Sequence, residues 1–399
     1  MILYAIAGII SACVALALTA LWQFRRTVRL SNPSGRFAVG RVSYEWMDAS
    51  RSEIFSKDRN AKREMVVWIW YPAAAPQNAK PAPYLPERWA RAIGEQGSNF
   101  RIRAWSAVQI RAIADAPVEP GGAPYPVLIF SPGYTTIPPD YTFLVEELAS
   151  RGYVIVGVTP TYSARVVVFS DDRTVKPVPE TAYPPKTKEG RNRLMTIWAA
   201  DLVFVTKQLE TLNADRNGRF FGRLDMERLG SFGHSFGGAT ALETARIESR
   251  CKAAVDIDGE VLGEALNVGV QRPLMFILAE PAPTSRVMRL FFHLSREADD
   301  KARAKRYSEF ESVYRRSPIA YRLTLRGAQH VNFSDAAILS SLWGKAVGVL
   351  GSIDGQRGLK ITADYVAAFF DRYLNGASST LLDGARAQYP EVQFESRRA

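Results

Sequence analysis

The sequence predicts an α/β fold, with a mostly parallel central sheet covered by helices on both faces. Three observations carry that prediction. Short, nearly continuous apolar runs recur at 127–131, 153–158, 228–232, 253–258, 274–279 and 320–325, the pattern of strands buried on both sides. Helical spacing of apolar residues intervenes at 141–150, 193–212 and 361–374, and strands alternating with helices indicate parallel pairing. The run that ends at Phe232 leads directly into Gly233-His234-Ser235-Phe236-Gly237-Gly238, with the small residues Ala239, Thr240 and Ala241 behind it. That is the strand-turn-helix setting of a G-x-S-x-G nucleophile elbow, in which a serine hydroxyl is exposed on a sharp corner. Together these features predict the α/β-hydrolase layout.

At the start of the chain, residues 1–22 carry no charged side chain and are long enough for a hydrocarbon core, which takes about 20 apolar residues. No Lys or Arg precedes the run, as the basic region of a secretory signal would, whereas Arg25, Arg26 and Arg29 follow it at once. An uncleaved membrane anchor over 1–24, with a cleaved signal-like segment as the alternative, and a basic linker over 25–36 are therefore expected. The positive-inside rule then puts the body of the protein, 37–399, on the cytoplasmic side. Cys13 lies within the apolar run and Cys251 precedes a core strand, so the two are not expected to pair. The net charge of +11 is scattered along the chain without a nucleic-acid-binding motif, which points to an anionic lipid surface and away from nucleic acid. No oligomeric state follows from it.

Two strands, 37–46 and 64–71, come before the first helix and suggest an antiparallel edge to the sheet. The segments 72–126 and 161–190 are too long for plain connections, and 281–318 is long and charged; such insertions on a rigid sheet shape a site or its lid. In the first, Tyr84, Leu85, Trp89, Ile93, Phe100, Ile102 and Trp105 lie among arginines. About half of this set reads as local core, while the aromatic and basic mixture admits contact with a membrane surface.

A serine nucleophile needs a base, and the base needs a carboxylate to fix its tautomer. Among three histidines, His234 adjoins Ser235 and suits packing or hydrogen bonding, and His293 sits in the helix-like apolar run Arg289 to His293. His330 follows the last core strand, and the order serine, acid, histidine is the one this fold uses, so His330 is the base. Three carboxylates compete as the acid. Asp256 and Asp258 close the run 253–258, where alternation puts them on one face, and Glu280 ends the next run. Asp258 is favoured because Gly259 allows a turn to aim it, with Glu280 and Asp256 kept as alternatives. Backbone N–H groups for a developing oxyanion are expected from Phe236, behind the nucleophile, and from Tyr134 in Ser131-Pro132-Gly133-Tyr134. No metal or organic cofactor is implied, since no clustered ligand set occurs.

The strings Gly233 to Thr240 (GHSFGGAT), Ile257-Asp258-Gly259, Pro273-Leu274-Met275-Phe276-Ile277 ending in Glu280, and His330-Val331-Asn332-Phe333-Ser334-Asp335 resemble the plasma-type, or type II, platelet-activating factor acetylhydrolases. Phe130-Ser131-Pro132-Gly133 and Trp70-Tyr71-Pro72 extend the resemblance upstream. It implies a calcium-independent esterase that cleaves short or oxidised sn-2 acyl chains from phospholipids at lipid surfaces. Carried onto this chain, it implies Ser235 as nucleophile, Asp258 as acid, His330 as base, Tyr134 and Phe236 as oxyanion donors, and a structural Glu280. Asn332 and Asp335 would order the loop after the histidine or cap a helix over 336–343. Pro132 replaces a histidine common in that loop, and 259–262 lack the aromatic that often follows the acid. A general short-chain carboxylesterase and a membrane-tethered, non-catalytic binding module are the competing readings.

Overall fold

The computed structural model describes residues 27–76, 78–95, 107–281, 283–284, 289–290 and 294–398. The expected anchor over 1–24 lies outside these residues, as do Phe100, Ile102, Trp105 and His293. Among the described residues, no helix is long and apolar enough to cross a membrane.

Apolar side chains at successive strand positions point to opposite faces, so a strand that is apolar throughout must be covered on both. In β3 (Lys62–Ala73), Val66, Trp68 and Trp70 enter one core while Met65, Val67, Ile69 and Tyr71 enter another. Leu128 and Phe130 of β6 (Tyr125–Ser131) likewise part from Val127 and Ile129. The first core is closed by helices α2 (Thr142–Ser150) and α6 (Gly355–Asn375), through residues such as Leu144, Leu148, Phe369 and Phe370. The second is closed by α3 (Lys188–Ala214), α4 (Phe236–Ile247) and α5 (Arg296–Arg316), through Val205, Leu209, Leu242 and Val313. Each large side chain buried this way contributes about 1.5–3 kcal/mol relative to exposure.

Twelve strands among the described residues form the sheet, in the order β1-β5-β2-β3-β7-β6-β10-β11-β12-β13-β14, with β4 against β5. Strands β7 (Val154–Thr159), β6, β10 (Leu224–His234), β11 (Cys251–Ile257), β12 (Leu274–Ala279) and β13 (Ile319–Leu325) run parallel to one another. From β6 the chain steps to β7 on one side and later to β10 on the other. The strand order therefore reverses beside β6, and the crevice at the strand ends of such a switch point is where α/β sheets place ligands.

The edges differ from the sequence expectation. β2 (Ala38–Ser52) and β3 are antiparallel, but they are internal, because β5 (Val108–Ala114) pairs with β2, and β1 (Val28–Arg29) and β4 (Pro81–Pro83) pair with β5. The segment 72–126 thus builds this edge together with β1. It also contributes α1 (Glu87–Gly94), in which Trp89 packs edge-on against Trp68 at 5.3 Å. Tyr84, Leu85, Trp89 and Ile93 are all buried core, so the membrane-surface reading does not hold for them. The opposite edge is β14 (Val392–Arg398), antiparallel to β13. In 161–190, β8 (Val167–Val168) and β9 (Thr174–Val175) form a short hairpin. Helix α3 starts earlier than the apolar spacing suggested because Thr187 caps it, its hydroxyl accepting from Gly190 N at 3.1 Å. Residues 281–318 contain a regular helix, α5, capped by Ser295 and carrying acidic residues in its first turn and arginines in its last. The helix expected over 336–343 is broken at Ser340 into Ala336–Leu339 and Ser341–Ala346.

Candidate active site

Strand β10 ends at His234 and α4 begins at Phe236, which leaves Ser235 as a one-residue corner with φ 57° and ψ −127°. A side chain in that region costs on the order of 1–3 kcal/mol and persists only where the surroundings hold it. Here Ser235 N donates to Ile257 O and Gly238 N to Ser235 O, both at 2.9 Å. The flanking glycines are required by close approach: a Cβ on Gly233 would lie 2.1 Å from Gly237 O, and one on Gly237 would lie 2.1 Å from Ser131 O. The G-x-S-x-G spacing is therefore a packing constraint between β10, α4 and the end of β6.

His330 opens a 3-10 turn, His330–Phe333, beyond β13. Asn332 orders this turn, its Oδ1 accepting from Gln329 N and Gly351 N at 2.8 Å each. The imidazole Nε2 lies 2.9 Å from Ser235 Oγ, and Nδ1 lies 2.6 Å from Asp258 Oδ2. A carboxylate at Nδ1 makes that nitrogen the donor in the neutral ring and leaves Nε2 as acceptor toward the serine hydroxyl.

Strand β11 stops at Ile257, and Asp258 adopts φ 48°. The alternation that would put Asp256 and Asp258 on one face is broken by that turn. Asp258 Oδ1 accepts from Ala279 N at 3.0 Å and from Arg306 Nη2 at 2.9 Å, leaving Oδ2 for His330. Burial opposes ionisation of Asp258, but the Arg306 charge and the His330 and Ala279 hydrogen bonds outweigh it and hold the carboxyl below the usual carboxylate range. Asp256 is turned elsewhere: Oδ1 accepts from Gly259 N at 2.7 Å, and burial raises its pKa well above the ordinary value. Glu280 Oε2 accepts from Gly327 N at 2.7 Å and braces the turn after β13. Neither alternative carboxylate is hydrogen-bonded to His330.

Tyr134 and Phe236 stand on either side of the corner, their rings 5.7 Å apart edge to face and both packed on Trp198 of α3. Their backbone N–H groups donate to no acceptor among the described residues. Tyr134 Oη donates to Thr181 O at 2.8 Å and Tyr183 O at 3.1 Å, which ties this loop to 161–190. Leu262, in the stretch without the family's aromatic, joins Leu194, Met195, Trp198 and Phe236 in the same apolar wall.

His234 is a hydrogen-bonding residue. Its Nε2 donates to His330 O at 3.0 Å, which leaves Nδ1 to accept from Tyr141 Oη at 2.8 Å; Tyr141 Oη in turn accepts from Gly133 N at 3.0 Å. Burial, with His330 nearby, pushes the His234 pKa down to about 3. One buried relay thus joins the loop after β6 to the turn after β13. Nothing in the sequence around Tyr141 marks it as part of this relay, and Arg306 is equally hidden within a charged run. Asp335 does not cap its own helix: its carboxylate accepts from Thr142 N and Phe143 N, at 2.8 and 3.1 Å, at the start of α2.

A cleft of about 520 Å³ opens over Ser235 and His330, bordered by Arg191, Glu260, Lys305 and Arg306. Among the described residues no group of three His, Cys, Asp or Glu side chains is placed to hold a metal ion.

A mostly parallel sheet with helices on both faces and a nucleophile-elbow corner at its C-terminal rim makes the protein an α/β hydrolase. The solved structure of a ferulic acid esterase from Streptomyces cinnamoneus superposes with a TM-score of 0.74 at 28% identity, over 92% of this chain and 99% of that one. More particularly, the chain belongs to the family described as platelet-activating factor acetylhydrolase, isoform II, which it matches over residues 23–193 and 203–380. It is 26% identical over 388 residues to a probable 1-alkyl-2-acetylglycerophosphocholine esterase of Arthroderma benhamiae, covering 92% of this chain and 93% of the relative. It is 24% identical over 317 residues to the platelet-activating factor acetylhydrolase of Gallus gallus, covering 71% and 69%. The protein is accordingly a carboxylic ester hydrolase.

Proposed function

We propose that the protein hydrolyses short or oxidised sn-2 acyl esters of phospholipids through a Ser235-His330-Asp258 triad and an acyl-enzyme. The observation that carries this reading is the unbroken hydrogen-bonded chain from the strained Ser235 hydroxyl through His330 to the buried Asp258, at 2.9 and 2.6 Å. Ser235 Oγ attacks the ester carbonyl carbon while His330 Nε2 takes its proton. The oxyanion is met by the N–H groups of Tyr134 and Phe236, and collapse of the intermediate expels the alcohol, which leaves with the proton from His330. Water then repeats the sequence on the acyl-enzyme. Asp258 stays ionised, holds the ring tautomer and stabilises the imidazolium. The phospholipid substrate is supported by the names of the fungal and avian relatives.

A general carboxylesterase is the second reading, favoured by the likeness to a ferulic acid esterase. Hydrolysis rates on a 2-acetyl glycerophosphocholine, its 2-palmitoyl counterpart, p-nitrophenyl acetate and a feruloyl ester separate the two. Selective cleavage of the 2-acetyl phospholipid supports the first, and cleavage of the simple esters alone supports the second. Wild-type turnover in a folded Ser235→Ala protein removes Ser235 as the nucleophile, and a folded wild-type protein that cleaves none of the four leaves a non-catalytic binding module.

The reading includes location. An uncharged segment over 1–22 followed by three arginines supports an anchor that holds the catalytic body at the cytoplasmic membrane surface. Protease protection in sealed vesicles tests it, since a body exposed on the opposite face rules out that orientation.

A further inference from the structure

Asp258 sits at φ 48°, a conformation that a side chain rarely adopts, so something must hold the turn. Arg306, on α5, reaches across to it. Its Nη2 donates to Asp258 Oδ1 at 2.9 Å, to Asp258 O at 2.8 Å and to Gly259 O at 3.0 Å, and its Nε donates to Gly259 O at 3.2 Å. The guanidinium also lies 5.3 Å over the ring of Phe310, which packs on Phe276 of β12 at 5.0 Å. Arg306 and Phe310 are four residues apart and share a helix face, so the side chain that anchors α5 on the sheet also seats the arginine. Most of α5 is exposed; among its residues only Asp299, Phe310, Val313 and Tyr314 are buried. A side chain serving only a solvated helix face would not reach across to bond two backbone carbonyls and a carboxylate elsewhere in the chain.

We infer that Arg306 is a positioning residue for ester hydrolysis, clamping the Asp258 turn so that Oδ2 remains aligned on His330 Nδ1. The inference rests on the Ser235-His330-Asp258 reading above. The two carboxylate oxygens divide the work: Oδ1 is fixed by Ala279 N and Arg306, and Oδ2 is left to the imidazole. A planar guanidinium can bond the carboxylate and both carbonyls at once, whereas an ammonium is a single point charge on a flexible stem. A side chain from an inserted helix thereby sets the geometry of the acid without touching the reacting atoms.

The test is steady-state kinetics of the full chain on p-nitrophenyl acetate, a small neutral ester with little reach toward the cleft rim. Arg306→Met is expected to lower kcat by about 10- to 100-fold, the scale of a misplaced catalytic geometry, with KM and the thermal midpoint near wild type. Arg306→Lys should recover part of the loss, and millimolar guanidinium should rescue Arg306→Ala better than an alkylammonium ion does. In an Asp258→Asn background, Arg306→Met should cost nothing further, because its effect runs through the carboxylate. A raised KM with unchanged kcat would mean a substrate contact, and a full additional loss in that background would mean an independent role; either overturns the clamp. Should Arg306→Met fail to fold, Arg306→Lys carries the same tests, its stem still packed on Phe310. Hydrolysis surviving in Ser235→Ala sinks the triad reading itself. An inactive Ser235→Ala alongside wild-type kcat in Arg306→Met sinks only the clamp.

Discussion

His234 and His330 lie ring beside ring, centroids 4.6 Å apart, and the side chain of the first donates to the main-chain carbonyl of the second. Two imidazoles this close cannot both carry charge cheaply. Burial, with His330 beside it, keeps His234 neutral.

His234 should therefore leave a signature in acid. Its folded pKa of about 3 is depressed below the ordinary 6.5, so the unfolded chain takes up a proton that the folded chain does not. The stability this group confers is complete above about pH 6.5 and is lost as the pH falls toward 3, with a slope of about 1.4 kcal/mol per pH unit at most. Urea unfolding of the wild type and His234→Gln between pH 7 and about pH 4.5 should differ by up to about one proton. Equal slopes would mean that His234 is protonated in the fold.

Ser235→Ala should lose on the order of 10⁶ in turnover and all labelling by a fluorophosphonate probe, with its unfolding midpoint little changed. Asp258→Asn should lose about 10⁴, because an amide neither enforces the tautomer nor stabilises the imidazolium. Glu280→Gln should stay within about tenfold of wild type, since its carboxylate braces Gly327 and makes no bond to His330. A crippled, folded Glu280→Gln beside a near-normal Asp258→Asn would reverse the assignment.

Gly237→Ala should be more damaging than an ordinary core substitution. The added methyl would stand 2.1 Å from Ser131 O and 2.4 Å from Pro132 O, both backbone atoms that cannot swing aside. Loss of about 4 kcal/mol or more, or no recoverable folded protein, is expected in denaturant titrations. Gly133→Ala meets its nearest neighbours, Tyr141 Oη and His234 Nδ1, at 3.0 and 3.2 Å. It should fold and lose activity through a displaced Tyr134 N–H.

Tyr134→Phe removes the hydroxyl that holds 161–190 but keeps the backbone N–H. Stability should fall by about 1 kcal/mol, the usual net worth of such a bond. Turnover should fall by less than about tenfold, against 10² to 10³ for loss of an oxyanion donor. A drop as large as the second figure would mean that the Thr181 tie governs the position of the N–H.

The central strands are readable in the sequence because they are covered on both faces, a condition that leaves continuous apolar runs. Ser235 is readable because backbone contacts admit only glycine on either side, and His330 because just three histidines compete and one follows the last core strand. The sheet edges are not readable. β14 ends in Glu395, Ser396, Arg397 and Arg398 and is mostly solvated, so its place beside β13 comes from main-chain pairing that no side-chain period advertises. β5 alternates cleanly over Val108 to Ala112, but the run is short and its partners lie in strands distant in the chain, which no local pattern reveals. Arg306 has no local signal at all, since its partners are carbonyls and a carboxylate 47 and 48 residues upstream. The turn at Asp258 is a similar case: Gly259 announces a corner, but the left-handed residue is the aspartate.

Tyr134 belongs to two neighbourhoods, its main chain facing the corner at Ser235 and its hydroxyl fastened to the carbonyls of Thr181 and Tyr183. For protein engineering this makes 161–190 a poor module to exchange. A replacement taken from a relative to alter substrate range would have to present two carbonyls at the same points, or the donor loop would drift and chemistry would suffer together with selectivity. Chimeras that also carry the segment's partners, Tyr134 and Trp198, have the better starting point.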